Sequence, residues 1–354
     1  MSGLTGLSRT TPVTRRPGLP YPLTLALCAL LLGGAVTAGV AAGSISLPAE
    51  QVWGILLHRL HPALAEPVWS PVRETVVMDV RLPRVILGGV IGAGLSVCGM
   101  ALQALVRNPL ADPMLLGVSS GASVGAVSVT VFGLTFLGPF SLPVAAFAGA
   151  LAALVTVYFL ARSGGRMTTV RLVLAGVATA EVLSAAASFL VVTSDDPHRA
   201  QSAVRWMLGG VAGTTWTTVW VPAAAVTAGT VVLLGVSRPL NLLLAGEEAA
   251  ASLGLDVHRF RAALFVLVAM VIGTVVAVSG AIGFVGLIMP HVVRLLVGAD
   301  HRRALPATAL LGAAFLITAD LVARTLITPE EIPVGIITAL VGGPFFLWLM
   351  RRRT

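Results

Sequence analysis

The chain alternates long apolar runs with short polar connections. Ten runs stand out, at about 22–43, 82–105, 114–133, 139–161, 170–193, 216–236, 260–280, 283–297, 304–325 and 332–350. Most approach the roughly 20 residues that a helix needs to cross a hydrocarbon core of about 30 Å. Lipid offers an open backbone no hydrogen bonds, so spanning segments must be helices or strands of a closed barrel. Barrel strands alternate apolar and polar positions; these runs are continuous and predict helices. The expected fold class is all-α, a polytopic membrane protein of about ten transmembrane helices. One domain, 22–350, lies between an N-terminal tail, 1–21, and a C-terminal tail, 351–354. The first run is long for a signal-peptide core and no convincing cleavage site follows it, so it reads as a retained span.

The connections differ in character. Residues 44–80 are polar and hold Pro48, Pro62, Pro67 and Pro71. Arg107-Asn108-Pro109-Leu110-Ala111-Asp112-Pro113 is a compact turn in which Asn-Pro and Asp-Pro break the helix. Asp195-Asp196-Pro197 opens a polar segment with a Gly-rich approach to the sixth run, and 237–258 predicts a short helical excursion.

Composition agrees with a lipid-facing chain. Hydrophobic residues are 56% and charged residues 11% of 354 positions, and mean hydropathy is +0.95. A soluble chain of this size needs more polar surface. All 23 basic residues are arginine, which excludes a phosphate-binding loop of the kind that requires lysine. If ATP drives this protein, a separate subunit hydrolyses it. The isoelectric point of about 11.2 invites a nucleic-acid reading, but the arginines lie at run ends rather than in one patch, as topology signals do. With the N-terminus inside, seven of the 23 fall outside, namely Arg59, Arg73, Arg81, Arg84, Arg199, Arg205 and Arg324. The excess inside predicts two cytoplasmic termini and an even number of spans.

Cys28 and Cys98 lie within apolar runs and read as small packing residues. The histidines at 58, 61, 198, 258, 291 and 301 form no metal-ligand spacing, and His291 reads as structural. Small residues at spacing four, such as Gly117, Gly121 and Gly125, suit close helix packing. Two carboxylates fall inside runs. Asp320 stands four residues before Arg324 and predicts a helical ion pair, whereas Glu181 has no obvious partner.

Four stretches carry a family likeness. The first runs from Arg81-Leu82-Pro83-Arg84 through Gly92-Ala93-Gly94 and Gln103 to Arg107-Asn108-Pro109-Leu110-Ala111-Asp112-Pro113 and Leu116-Gly117-Val118-Ser119-Ser120-Gly121. The second is Gly246-Glu247-Glu248-Ala249-Ala250-Ala251-Ser252-Leu253-Gly254. The third is Ser279 to Leu287 with Pro290-His291, Arg294 and Asp300-His301-Arg302; the fourth is Asp320, Arg324, Glu331-Ile332-Pro333 and Gly343-Pro344-Phe345-Phe346. In order and spacing, over about 75–350, the chain resembles the FecCD family of ATP-binding-cassette importer permeases for iron siderophores, haem and vitamin B12.

The resemblance implies a type II ABC importer permease fold, ten spans per subunit, and a pathway between two permease subunits, expected here as a homodimer. It implies two cytoplasmic ATPase subunits, which use ATP and magnesium, and an extracytoplasmic substrate-binding protein. The location implied is the bacterial cytoplasmic membrane. No cofactor, metal or catalytic group is expected in this chain, and no nucleic acid as partner.

By the same likeness Glu247, Glu248, Ala249, Ala250, Leu253 and Gly254 form the segment that couples to the ATPase. Acidic residues at a helix start and glycine at its end suit a short rigid helix there. Arg81, Arg84 and Arg324 match docking positions for glutamates of the binding protein, a task for which arginine's planar fork is suited. Asn108 and Leu110 match a cytoplasmic constriction, and Thr168 and Thr169 lie near a second one. Gln103 and Glu181 are pathway candidates on residue type and placement alone. The expected cargo is an iron chelate, ferric siderophore or haem, with vitamin B12 or another metal chelate as the alternative. An ion-coupled secondary transporter would need charged sites near the midplane, where only Glu181 qualifies.

Overall fold

The computed structural model describes residues 20–43, 46–163, 166–167, 169–327 and 330–351. The described helices are α1 (Tyr21–Ala41), α2 (Ala49–Leu60), α3 (Pro71–Val106), α4 (Val118–Phe132), α5 (Ser141–Ala161), α6 (Thr169–Val192) and α7 (Pro197–Met207). They continue as α8 (Trp216–Gly235), α9 (Ser237–Ala245), α10 (Glu247–Ser252), α11 (Val257–Ser279), α12 (Val285–Val297), α13 (His301–Thr325) and α14 (Val334–Arg351). Short 3-10 turns lie between some of them, and a two-rung ladder pairs Arg162 with Met167 and Ser163 with Arg166.

The ten apolar runs all become helices. Seven are long and apolar enough to cross a membrane, and the shorter apolar helices Val118–Phe132, Val285–Val297 and Val334–Leu349 account for the other three. The expected polytopic all-α architecture holds, with boundaries shifted by a few residues.

Two connections are more ordered than their polarity predicts. In 44–80, α2 buries Val52 and Ile55 beside Trp69, and α3 begins at Pro71 rather than at 82, with a π-type stretch over Val76–Arg81. After α6, Asp196 caps α7 by accepting from His198 N (2.9 Å) and Arg199 N (3.4 Å), and Pro197 takes the first helical position. Asp followed by Pro is a helix-start signal that the polarity of the segment masks.

The core is built around α3. Of its most apolar window 78% is buried, against 22% for α1 and for α6, so α3 stands inside the bundle while α1 and α6 lie at its edge. It packs on α13, α12, α11 and α8. Close approach is made possible by glycine. A Cβ on Gly92 would run into the carbonyl oxygen of Gly312 on α13, and one on Gly99 into that of Gly286 on α12. Lipid supplies no hydrophobic drive between helices, so backbone-to-backbone van der Waals packing of this kind replaces it. On α6, Val170, Leu174, Val177, Val182, Phe189 and Val192 stay exposed, an apolar face of the sort that meets lipid or another chain.

Candidate functional site

The functional candidates gather at opposite ends of the bundle. At one end lie the three arginines. Arg84 Nε and Nη2 donate to the Asp320 carboxylate (3.0 Å to Oδ2, 2.9 Å to Oδ1), while Nη1 donates to both oxygens of Glu331 (2.9 and 3.0 Å). Arg81 Nη1 donates to Val40 O (2.9 Å) and Ala41 O (2.8 Å), carbonyls at the C-terminus of α1 that have no partner within the helix. Arg324 Nη2 donates to Gly39 O in the same turn. A cation at this helix end also opposes the α1 dipole favourably.

Arg81 and Arg324 are 5% and 7% exposed, so both are taken up inside the chain. Arg84 lies nearer the surface, bridged to Glu331, whose side chain is 43% exposed. The expected Asp320–Arg324 pair is present at 3.8 Å, but it is secondary. The short two-bonded grip on Asp320 belongs to Arg84, far away in sequence. Such forked geometry costs little extra ordering and compensates a buried carboxylate well.

At the other end, α3 stops at Arg107, which takes a left-handed backbone (φ +54°). Asn108 Oδ1 then accepts from Leu110 N (2.9 Å), and Asp112 Oδ1 from Met114 N (2.8 Å), so two side chains shape the turn. Burial pushes the Asp112 carboxyl up to about 6, against the hydrogen bonds from Met114 and Phe284. A cavity of about 230 Å³ opens here, lined by Gln103, Arg107, Asn108, Arg294 and His301 among others. Gln103 is buried and already engaged. It donates from Nε2 to Gly286 O (3.3 Å) and accepts from Arg294 Nη2 (2.5 Å), clasping α3 to α12.

Asn108 and Gln103 thus meet at one cavity, and Leu110 is half-buried beside it. Thr169 begins α6, and Thr168 lies outside the described residues. Glu181 is exposed on α6 without an ion pair among the described residues, apart from both ends. The groove between α4, α5 and α6 is lined by Gly121, Gly149, Thr179 and Val182, not by Glu181.

The segment 246–254 forms a sharp corner. Gly246 (φ +115°) turns the chain from α9 into α10, and Gly254 (φ +86°) ends it, with Gly254 N donating to Ala251 O (2.9 Å) and Leu255 N to Ala250 O (3.1 Å). Ala250 is fully buried, Ala249 half-buried, and Glu248 and Leu253 point outward, Leu253 at 68% exposure. Glu247 Oε1 meets Arg261 Nη1 on α11 at 2.6 Å. Nearby, Asn241 on α9 accepts from His301 N (3.0 Å) and donates to Asp300 Oδ1 (2.7 Å). That second bond holds the Asp300 carboxyl below its usual range. Arg261 is one of the run-end arginines, and no local spacing announces its pairing with Glu247.

Comparison with known proteins places this geometry. Residues 29–352 match the model of the FecCD transport family. The chain is 46% identical over 342 residues to the cobalamin import system permease of Halobacterium salinarum, covering 94% of this chain and 90% of that protein. It is 41% identical over 314 residues to the hemin transport system permease of Yersinia pestis, covering 88% and 90%. A solved structure described as an inward-facing conformation of a metal-chelate type ABC transporter matches with a TM-score of 0.81 at 32% identity, covering 94% of this chain and 100% of that one.

Proposed function

The chain belongs to the FecCD transport family, and from that premise we propose that it forms the pathway of an ATP-driven importer for a bulky metal chelate. Two permease subunits, as a homodimer, enclose the pathway in the cytoplasmic membrane. Two ATPase subunits bind at the Glu247–Gly254 end, and a substrate-binding protein docks at the Arg84 end. Both termini lie in the cytoplasm under this reading, on the side richer in arginine.

The observation that carries it is the α9–α10 corner. A helix of six residues, closed by glycines at both ends and rooted on buried Ala250, presents Glu248 and Leu253 outward as a rigid knob. A knob of this kind fits a groove on a partner and transmits force where a flexible loop would absorb it. Nucleotide binding in the ATPase moves the knob, and the paired permeases open alternately to either side. The turn at Asn108 and Leu110, with Thr168 and Thr169, supplies the inner constriction. At the opposite end Arg84 is the arginine within reach of a docking carboxylate, while Arg81 and Arg324 hold α1 beneath it.

The cargo in this proposal is an iron chelate, ferric siderophore or haem, a choice supported by the hemin relative. The 46% identity to a cobalamin permease favours cobalamin as the second reading. The test is reconstitution in liposomes with the ATPase and binding protein, measuring ATP-dependent uptake of ferric siderophores, haem and cobalamin. Uptake of an iron chelate alone supports the first reading, and cobalamin uptake alone replaces it with the second. Accumulation by the lone chain on a proton or sodium gradient overturns the importer reading altogether.

A further inference from the structure

Arg261 sits in the first turns of α11 at 4% exposure, and its one ion-pair partner among the described residues is Glu247 at 2.6 Å. Its Nε and Nη2 atoms are buried and meet no acceptor among the described residues. A guanidinium so far from water depends on its one carboxylate partner for compensation. The half-exposed Glu247 therefore cannot move away from Arg261 without leaving a buried cation uncompensated. The attachment is short and charge-assisted, and it joins the first residue of α10 to a helix that packs on α3, α4, α5 and α8.

We propose that Arg261 is a positioning residue for energy coupling: the Glu247–Arg261 ion pair is the strut through which displacement of α10 is passed into α11 and so to the centre of the bundle. This rests on the reading of α10 as the ATPase-coupling knob and names the route by which its movement enters the membrane. At its far end α10 continues through residues 253–256 into α11, and the Glu247–Arg261 pair adds a side-chain brace at its near end, just after the Gly246 corner, so a push on α10 reaches α11 from both ends. Glu248, one residue on, is exposed and makes no ion pair among the described residues, so the strut is particular to Glu247.

The test uses the full complex of permease, ATPase and binding protein in liposomes. It reads co-purification of the ATPase and cargo imported per ATP hydrolysed. For R261Q and E247Q the ATPase still co-purifies, and import per ATP falls by about tenfold. The swapped pair, E247R with R261E, recovers a large part of the coupling that either reversal alone destroys. E247Q alters a half-exposed side chain, so it reports even where R261Q or R261E fails to fold. Wild-type import per ATP in E247Q overturns the strut, as does loss of the ATPase from the complex, or a swapped pair no better than its single reversals. E248R separates the two ideas. If it weakens ATPase co-purification while E247Q is silent, α10 is the coupling knob and the strut is wrong. If both are silent, the coupling reading itself falls.

Discussion

At one end of the bundle Arg84 meets two carboxylates and Arg81 two carbonyls; at the other, Arg261 meets one carboxylate oxygen and buries two donor atoms without an acceptor among the described residues. The first arrangement ties three helices, α1, α3 and α13, into a fixed corner. The second braces a small, mostly exposed helix against the buried helix that follows it in the chain, through one side-chain ion pair. An arginine at a span end serves stability when its donors are shared among several elements. Under the coupling proposal it serves transmission when it braces an exposed element against a buried helix.

The comparison breaks most sharply at Asp320. Replacing it with alanine removes the shared carboxylate of Arg84 and Arg324 and is expected to cost about 4 kcal/mol. The check is the melting temperature in detergent, and a melt equal to wild type would falsify the fixed-corner account. Arg81→Met is next, because it takes the Arg81 donor from Val40 O and leaves Ala41 O with Leu47 N alone, at about 2 kcal/mol. Loosening of α1 should then appear as faster hydrogen exchange near its C-terminus, and unchanged protection there would count against the bond.

Asp112 gives a pH-dependent arm. Its folded-state carboxyl lies near 6, above the ordinary 3.8, so the folded chain binds a proton more tightly than the unfolded one. Stability from this group therefore falls as pH rises from about 4 to about 6 and is level beyond. Asp112→Asn should flatten that slope while keeping an acceptor for Met114 N; parallel curves for the two proteins would exclude the effect. Glu331→Gln touches an exposed partner and should cost only about 0.5 kcal/mol. Smallest in stability is Glu248→Arg, within about 0.5 kcal/mol, yet ATP-driven import by the assembled complex should drop. Normal import in this variant would erase the contrast between a stabilising end and a transmitting end.

The helices were legible because a spanning segment must be long, apolar and continuous, a pattern that needs no tertiary knowledge. The corner at 246–254 was legible for a similar reason, since acidic residues, alanines and flanking glycines fix a short helix locally. α2 and α7 were not, because half of each faces solvent and dilutes the apolar signal. The partners of Arg84 and Arg261 were hidden for another reason. Asp320 lies 236 residues from Arg84, and only the folded bundle brings them together. Local spacing pointed instead to Arg324, the weaker partner.

The contact of Gly92 with Gly312 has a consequence for how this protein tolerates change. Where two side chains touch, an enlargement on one can be offset by trimming the other, and a second-site suppressor restores the fit. Here neither residue has an atom left to remove. A bulkier residue on α3 has no rescuing substitution across from it on α13, so genetic screens for suppressors of Gly92→Ala should return only true reversion or changes that shift a whole helix.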